Sequence, residues 1–313
     1  MFNFYNRLKT IYLYKVSLIG LFLCLSASCS GEKIDTGQVF RMPITNEPPT
    51  LDWSLATDSV SFDILTNIME GLTQYDSNMD PIPAIAKRWE ISKNKKIITY
   101  YLRDDVFWTD GKPVTAHDFE HSWKRLLNPA TAAQYAYFLF DVENAQEFNS
   151  GKISDSSLVG VSAKTNHILE VRLKKAVVYF PSITTFMVTF PQRKDIIEKF
   201  GDHWTDPENI VSNGPFKLSE WKHEYKLTLT ANENFYEGPP QIDKILAYVV
   251  REKTTSLTLY ETGELDMVEL PPVAIPHFRN HDEYKNLPQL RGYYYGINVI
   301  KPPFDNSLVR RAF

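Results

Sequence analysis

The sequence predicts an α/β protein of mixed sheets in which a strand-rich stretch interrupts a longer α/β region. Strand-like and helix-like segments alternate near the start of the chain, 73–175 is mostly short strands and turns, and a second α/β stretch runs over 178–290. With 313 residues, 43% hydrophobic and 23% charged, the chain is long enough for two domains and close to the globular average.

In order along the chain, Val39-Phe40-Arg41-Met42-Pro43 reads as a first strand. Pro48 and Pro49 forbid helix or central strand over 46–52. Phe62, Leu65, Ile68 and Met69 recur at helical spacing from Ser61, with Gly71 just past the end. The β-rich runs 88–91 and 97–103 flank Ser92-Lys93-Asn94-Lys95-Lys96 and predict a hairpin. Thr109-Asp110-Gly111-Lys112-Pro113 has the chemistry of a turn. Thr115 with Asp118 three residues on predicts a capped helix over 116–127, ended by Pro129, with Phe119, Trp123 and Leu126 on its buried face. Half-buried strands are expected at 158–161 and 167–173, a helix at 194–200 stopped by Gly201, and strands at 216–218, 225–229 and 244–250. A helix at 254–261 closes at Gly263, a strand follows at 293–299, and an amphipathic helix begins at Ser307. That last helix runs two turns to Phe313, too short to be stable alone, so the sequence reads as cut there.

The first residues are a separate object. Residues 1–15 carry Arg7, Lys9 and Lys15 and no acid, 16–25 are apolar, and Ser26, Ala27 and Ser28 precede Cys29. A charged start, a short apolar core and small residues make a secretory signal peptide over 1–28. Ten apolar residues are too few for a membrane span, which needs about 20. Leu25-Ser26-Ala27-Ser28-Cys29 resembles a bacterial lipobox, with Leu25 one position further back than usual; ordinary cleavage after Ser28 is the alternative. Cys24 leaves with the signal, so Cys29 is the one remaining thiol and no internal disulfide forms. Lipidation at Cys29 turns an exposed thiol into an anchor, with 29–37 as a polar tether.

The formal net charge is −4, and −7 once three basic residues leave with the signal; there is no basic stripe, which argues against a nucleic-acid partner. The chain has no G-x-S-x-G elbow, P-loop or dinucleotide glycine pattern. His117-Asp118-Phe119-Glu120-His121 spells the H-x-x-E-H of inverted zincins. That face lies opposite Phe119 and Trp123 and is expected in solvent, so a zinc peptidase is the disfavoured enzyme alternative. The remaining histidines, at 167, 203, 223, 277 and 281, lack ligand spacing. No catalytic residue, metal or cofactor is expected.

A set of short segments carries a family resemblance. They include Thr50-Leu51-Asp52 with Glu70-Gly71-Leu72, Ile85-Ala86-Lys87-Arg88-Trp89, and Trp108 to Ala116. Next come Ser122-Trp123 with Arg125, and Asn213-Gly214-Pro215-Phe216 with Trp221. Gly263-Glu264-Leu265-Asp266-Met267 and Pro302-Pro303-Phe304-Asp305 with Arg310 complete them. In this order and spacing they resemble the bacterial extracellular solute-binding proteins of family 5, which include the oligopeptide- and dipeptide-binding components of ABC importers. The resemblance covers 39–313.

It implies a periplasmic binding protein type II-like fold, a two-lobed cleft that closes on its ligand with a β-rich domain inserted in the first lobe. The first lobe would comprise 38–72 and 178–290, the inserted domain 73–177, and 291–313 the start of a second lobe that is largely missing here. It implies an exported, membrane-anchored lipoprotein, periplasmic or at the cell surface, that passes oligopeptides to a permease and ATPase complex. It also implies ligand contacts at Thr57, Asp58 and Ser59, where Asp58 or Ser59 is otherwise a plain helix cap. Tyr135, Glu269 and Tyr294 are further implied contacts, each with a packing role as the alternative, and Gly296 stands where a larger group would narrow a pocket. Other cargo in the same family (dipeptide, murein peptide, metal chelate or haem) and a non-functional short product remain alternatives.

Overall fold

The computed structural model describes residues 37–287 and 295–313. The expected signal peptide, Cys29 with the tether expected after it up to residue 36, and Tyr294 therefore lie outside the described residues. The chain divides after Glu269 into two compact units.

In the first unit, β1 (Val39–Ile44) is followed by the irregular proline segment and α1 (Ser59–Ile68). Two short strands, β2 (Thr73–Tyr75) and β3 (Pro81–Pro83), pair antiparallel. β4 (Ala86–Ile91) and β5 (Ile97–Leu102) form the expected hairpin. Then come α2 (Ala116–Leu127), the short α3 (Ala145–Asn149), and the pair β6 (Val161–Thr165) and β7 (Ile168–Arg172). A single turn of helix, α4 (Phe180–Ile183), and α5 (Lys194–Phe200) lead to β8 (Phe216–Lys222), β9 (Lys226–Ala231), β10 (Lys244–Val249) and α6 (Lys253–Glu261).

Two four-stranded sheets result. One has the order β1-β10-β9-β8, with β1 parallel to β10 and the rest antiparallel. Its first strand comes from before the β-rich stretch and its other three from after it. The second, β4-β5-β7-β6, is antiparallel throughout. In the first sheet Phe40, Ile245, Leu229 and Leu218 sit in register across the strands, an apolar row of the kind that drives a helix onto a sheet face. α1 packs on β8, and α2 lies on β6 and β7 with Phe119, Trp123 and Leu126 fully buried. One continuous hydrophobic core runs from Ile44 through both sheets to Ala247.

The capping of α2 follows the sequence: the Thr115 backbone N–H donates to Asp118 Oδ2 at 2.8 Å, and Lys124 and Arg125 complete the last turn where cations oppose the helix dipole. Gly201 and Gly263 adopt φ of +54° and +78°, the left-handed conformations that end α5 and α6 at no steric cost.

Three expectations need correction. The strand expected at 158–161 begins only at Val161, because Asp155 Oδ1 takes the Ser157 N–H at 2.8 Å and winds 156–158 into a 3-10 turn. β8 continues past 218 to Lys222, carried through polar Ser219 and Glu220 by pairing with β9 across a register shift. Residues 295–298 are in no strand: among the described residues no neighbour supplies a ladder, and a lone strand leaves its backbone groups unpaired.

The second unit contains two short helices, α7 (Ile275–Phe278) and α8 (Ser307–Ala312). Asn306 caps α8 by accepting from Leu308 N at 2.9 Å, and Arg310 Nη1 donates to the carbonyl of Phe304 at 2.7 Å. No helix among the described residues is long and apolar enough to cross a membrane.

Candidate functional site

The loop that precedes α1 is held from beneath. Asp52 accepts both guanidinium nitrogens of Arg125, at 2.9 and 2.5 Å, and the Ser54 N–H at 3.0 Å. Gln192 Nε2 and Trp204 Nε1 close on the same carboxylate at 3.4 Å each. Around this pair, Ser122 Oγ donates to the Phe190 carbonyl at 2.6 Å, Trp123 Nε1 to Thr189 at 2.7 Å and Trp53 Nε1 to Phe190 at 3.3 Å. The Leu55 and Ala56 N–H groups both donate to the Asp52 carbonyl at 2.8 Å, turning the chain into the loop 56–59. The sequence markers Thr50-Leu51-Asp52, Ser122-Trp123 and Arg125, joined by Trp204, thus act as one buried anchor. A bidentate arginine–carboxylate pair with this many neutral donors fixes both position and orientation.

On that anchor, Thr57 and Asp58 are half-buried and Ser59 is exposed. Asp58 is the N-cap of α1: Oδ1 accepts the Ser61 N–H at 2.9 Å and Oδ2 the Ser61 hydroxyl at 2.7 Å. The Tyr135 hydroxyl, 78 residues away, donates to the Thr57 carbonyl at 3.2 Å. Thr57, Asp58, Ser59 and Tyr135 are therefore brought to one place.

Tyr135 belongs to a partly exposed aromatic group. Its ring lies 5.8 Å from Phe186, 5.6 Å from Phe138 and 5.9 Å from Tyr137, and Phe62 of α1 stands 5.4 Å from Phe186. Phe62 has the helical spacing of a core position, whereas nothing in the sequence marks Phe186. Glu269 is elsewhere: it is exposed, its carboxylate pairs with Lys253 Nζ at 2.5 Å, and it contacts none of Thr57, Asp58, Ser59 or Tyr135. At Gly296, in the second unit, an added Cβ would meet nothing within 4 Å.

The H-x-x-E-H face differs from expectation. Only His117 is exposed; Glu120 and His121 are half-buried because α2 lies along β6. Glu120 Oε2 accepts the Ala163 N–H at 2.9 Å and Oε1 pairs with Lys124 at 2.5 Å, so the would-be general base is spent on holding the strand. Burial, with Arg125 and Lys194 nearby, pushes His121 down to about 4, and its Nε2 is buried without a hydrogen-bond partner. No group of three or more His, Cys, Asp or Glu side chains among the described residues is arranged to hold a metal ion.

A second junction clamps the end of α1. Asn213 Oδ1 accepts the Glu70 N–H at 2.9 Å, its Nδ2 donates to the Glu70 carbonyl at 3.3 Å, and Tyr236 donates to Glu70 Oε2 at 2.9 Å. Gly214 sits so close that a Cβ would come within 2.5 Å of the Ile68 carbonyl carbon. Burial, with Glu237 adding to it, raises Glu70 to about 7 against the lowering effect of the Tyr236 hydrogen bond and Arg103. At the edge of the first sheet, the Asp266 N–H donates to the Arg41 carbonyl at 2.9 Å while its Oδ2 accepts the Arg41 N–H at 2.7 Å, which covers part of the β1 edge.

Residues 80–313 match the family described as bacterial extracellular solute-binding proteins, family 5 Middle, and the chain belongs to that family. It is 34% identical over 288 residues to the dipeptide-binding protein DppE of Bacillus subtilis, covering 92% of this chain and 52% of that protein. The substrate-binding domain of an oligopeptide ABC transporter from Bacillus anthracis superimposes with a TM-score of 0.75 at 36% identity, over 79% of this chain and 48% of that one. Haemophilus influenzae OppA in complex with the peptide RPPGFSPFR gives 0.78 at 31% identity, over 89% and 55%. The chain thus spans about half the length of the relatives it matches.

Proposed function

We propose that this protein is the exported, non-catalytic binding component of an ABC importer and that its cargo is a short peptide held in extended form. The reading is supported most by the hydrogen bond between Tyr135 and Thr57, which joins two implied contact stretches beside the exposed start of α1. An extended peptide offers main-chain N–H and C=O groups whatever its side chains, and a rigidly held loop beside aromatic surface suits them. Relatives named for dipeptide and oligopeptide binding, one in complex with a peptide, support the same cargo.

In this reading Thr57, Ser59 and Tyr135 touch the ligand directly and Asp58 holds the loop as a cap. Glu269 and Tyr294 are further ligand contacts in this reading. Cys29 carries the lipid that keeps the protein at the membrane, near a permease and ATPase complex. Thermal unfolding of a chain carried to its relatives' length, with and without mixed tri- to pentapeptides, tests the cargo. At a hundred-fold excess over Kd the ligand adds about 2.7 kcal/mol, and the transition rises; an unmoved transition with every peptide overturns the proposal.

A further inference from the structure

The tip of the β4–β5 hairpin combines two features that the binding site does not use. Its turn satisfies itself: Lys96 N and Ile97 N donate to Asn94 Oδ1 and Ser92 Oγ at 3.1 and 3.0 Å, and Lys95 takes a φ of +57°. Lys93, Lys95 and Lys96 are all exposed, and among the described residues none has an ion-pair partner. The neighbouring Lys174 and Lys175 differ, being paired with Glu147 at 3.2 Å and Asp141 at 3.3 Å.

Beside these lysines lies apolar surface. The Leu173 N–H donates to the Lys96 carbonyl at 2.8 Å and brings the following segment to the tip. There Val178 is 69% exposed, Tyr179 52% and, on β4, Ile91 42%. Ile91, Val177 and Val178 share a shallow open groove of about 380 Å³ with Lys93 and Lys95. Single exposed apolar residues are ordinary, but exposed Ile91 and Val178 lining one groove with the uncompensated Lys93 and Lys95, on a chain of net charge −4, are not.

We infer that this tip is a membrane-contact surface for anionic phospholipid. A bilayer surface presents phosphates above an acyl boundary, the layering that suits lysine heads with aliphatic stems beside Ile91 and Val178. An acidic polypeptide would neutralise the lysines but offers less to the apolar groove. The contact does not depend on the peptide-binding reading.

The test is hydrogen exchange of the full chain with phosphatidylglycerol-containing vesicles and with pure phosphatidylcholine vesicles, reading the amides of 91–97 and 174–179. Because the readout is local, basic residues near the N-terminus do not confuse it. Protection is expected with the anionic vesicles alone and is lost at high salt. Each lysine multiplies partitioning to an anionic surface about fivefold, so K93Q/K95Q/K96Q lowers tip-dependent binding on the order of a hundredfold. V178D, at an exposed position, tests the apolar half separately and also releases the tip. Absence of tip protection by anionic vesicles, or equal protection in both variants, overturns the inference. So does protection by soluble polyglutamate but not by vesicles, which would assign the tip to an acidic protein.

Discussion

Replacing Asp52 by alanine strands the Arg125 guanidinium inside the first unit. The side chains of the pair are 8% and 18% exposed, so water replaces the lost partner poorly. The truncation also removes the acceptor for Ser54 N and for Trp204 and Gln192. Breaking one side of such a pair costs about 3–5 kcal/mol, against ~1 kcal/mol at most for an exposed pair. With a urea m-value of about 3 kcal/mol/M, the unfolding midpoint of D52A falls by roughly 1–1.7 M. The double variant D52L/R125M leaves no orphaned charge and unfolds later than D52A, because the cost lies in the unpaired ion more than in the lost attraction. Urea titrations followed by tryptophan fluorescence read both, since Trp53 and Trp204 lie together 4.8 Å apart beside the pair. A loss under about 1 kcal/mol for D52A, or a double variant as weak as the sum of the singles, refutes the anchor.

Three further outcomes are expected. G214A forces backbone apart where a Cβ would lie 2.5 Å from Ile68; it lowers stability by about 1–3 kcal/mol, read as a lower midpoint in the same titration. Glu70 titrates near 7 when folded against its ordinary 4.5, so the native state holds a proton over that window which the unfolded chain has released. Its contribution is therefore fullest below about pH 4.5 and falls by roughly 3 kcal/mol as pH rises through 7; E70Q flattens that slope, and an unchanged slope would assign the pH dependence to other groups. Metabolic labelling with palmitate marks the exported protein and leaves C29S unlabelled; label on C29S, or none on either, removes the anchor from the account.

Much of the fold is legible because its signals are local. Thr115, Asp118 and Pro129 bound α2, and Phe119, Trp123 and Leu126 give its buried face from spacing alone. Ser92 to Lys96 gives the hairpin in the same way. The segment 158–161 reads wrongly because alternating apolar residues look alike in a strand and in a short turn, and a single aspartate cap decides between them. The site is less legible. Asp52 and Arg125 are separated by 73 positions, Thr57 and Tyr135 by 78, and no periodicity links either pair. The family markers announce that these residues matter; only the fold shows that Asp52 and Arg125 support a loop while Thr57 and Tyr135 meet at its surface. The H-x-x-E-H face shows the converse, a motif whose glutamate the fold commits to the backbone of β6.

The claim on which the functional account depends is that ligand is read through its main chain. Isothermal titration of the chain carried to its relatives' length, with a pentapeptide and its backbone N-methylated analogue, tests this directly. Each methyl removes an N–H donor and leaves the side chains in place. Methylation at central positions is expected to weaken binding tenfold or more, since an acceptor stranded without its donor costs about 1–3 kcal/mol, while swapping one side chain for another of similar size changes little. Equal affinity for the methylated peptide, with affinity following side-chain identity instead, would contradict it.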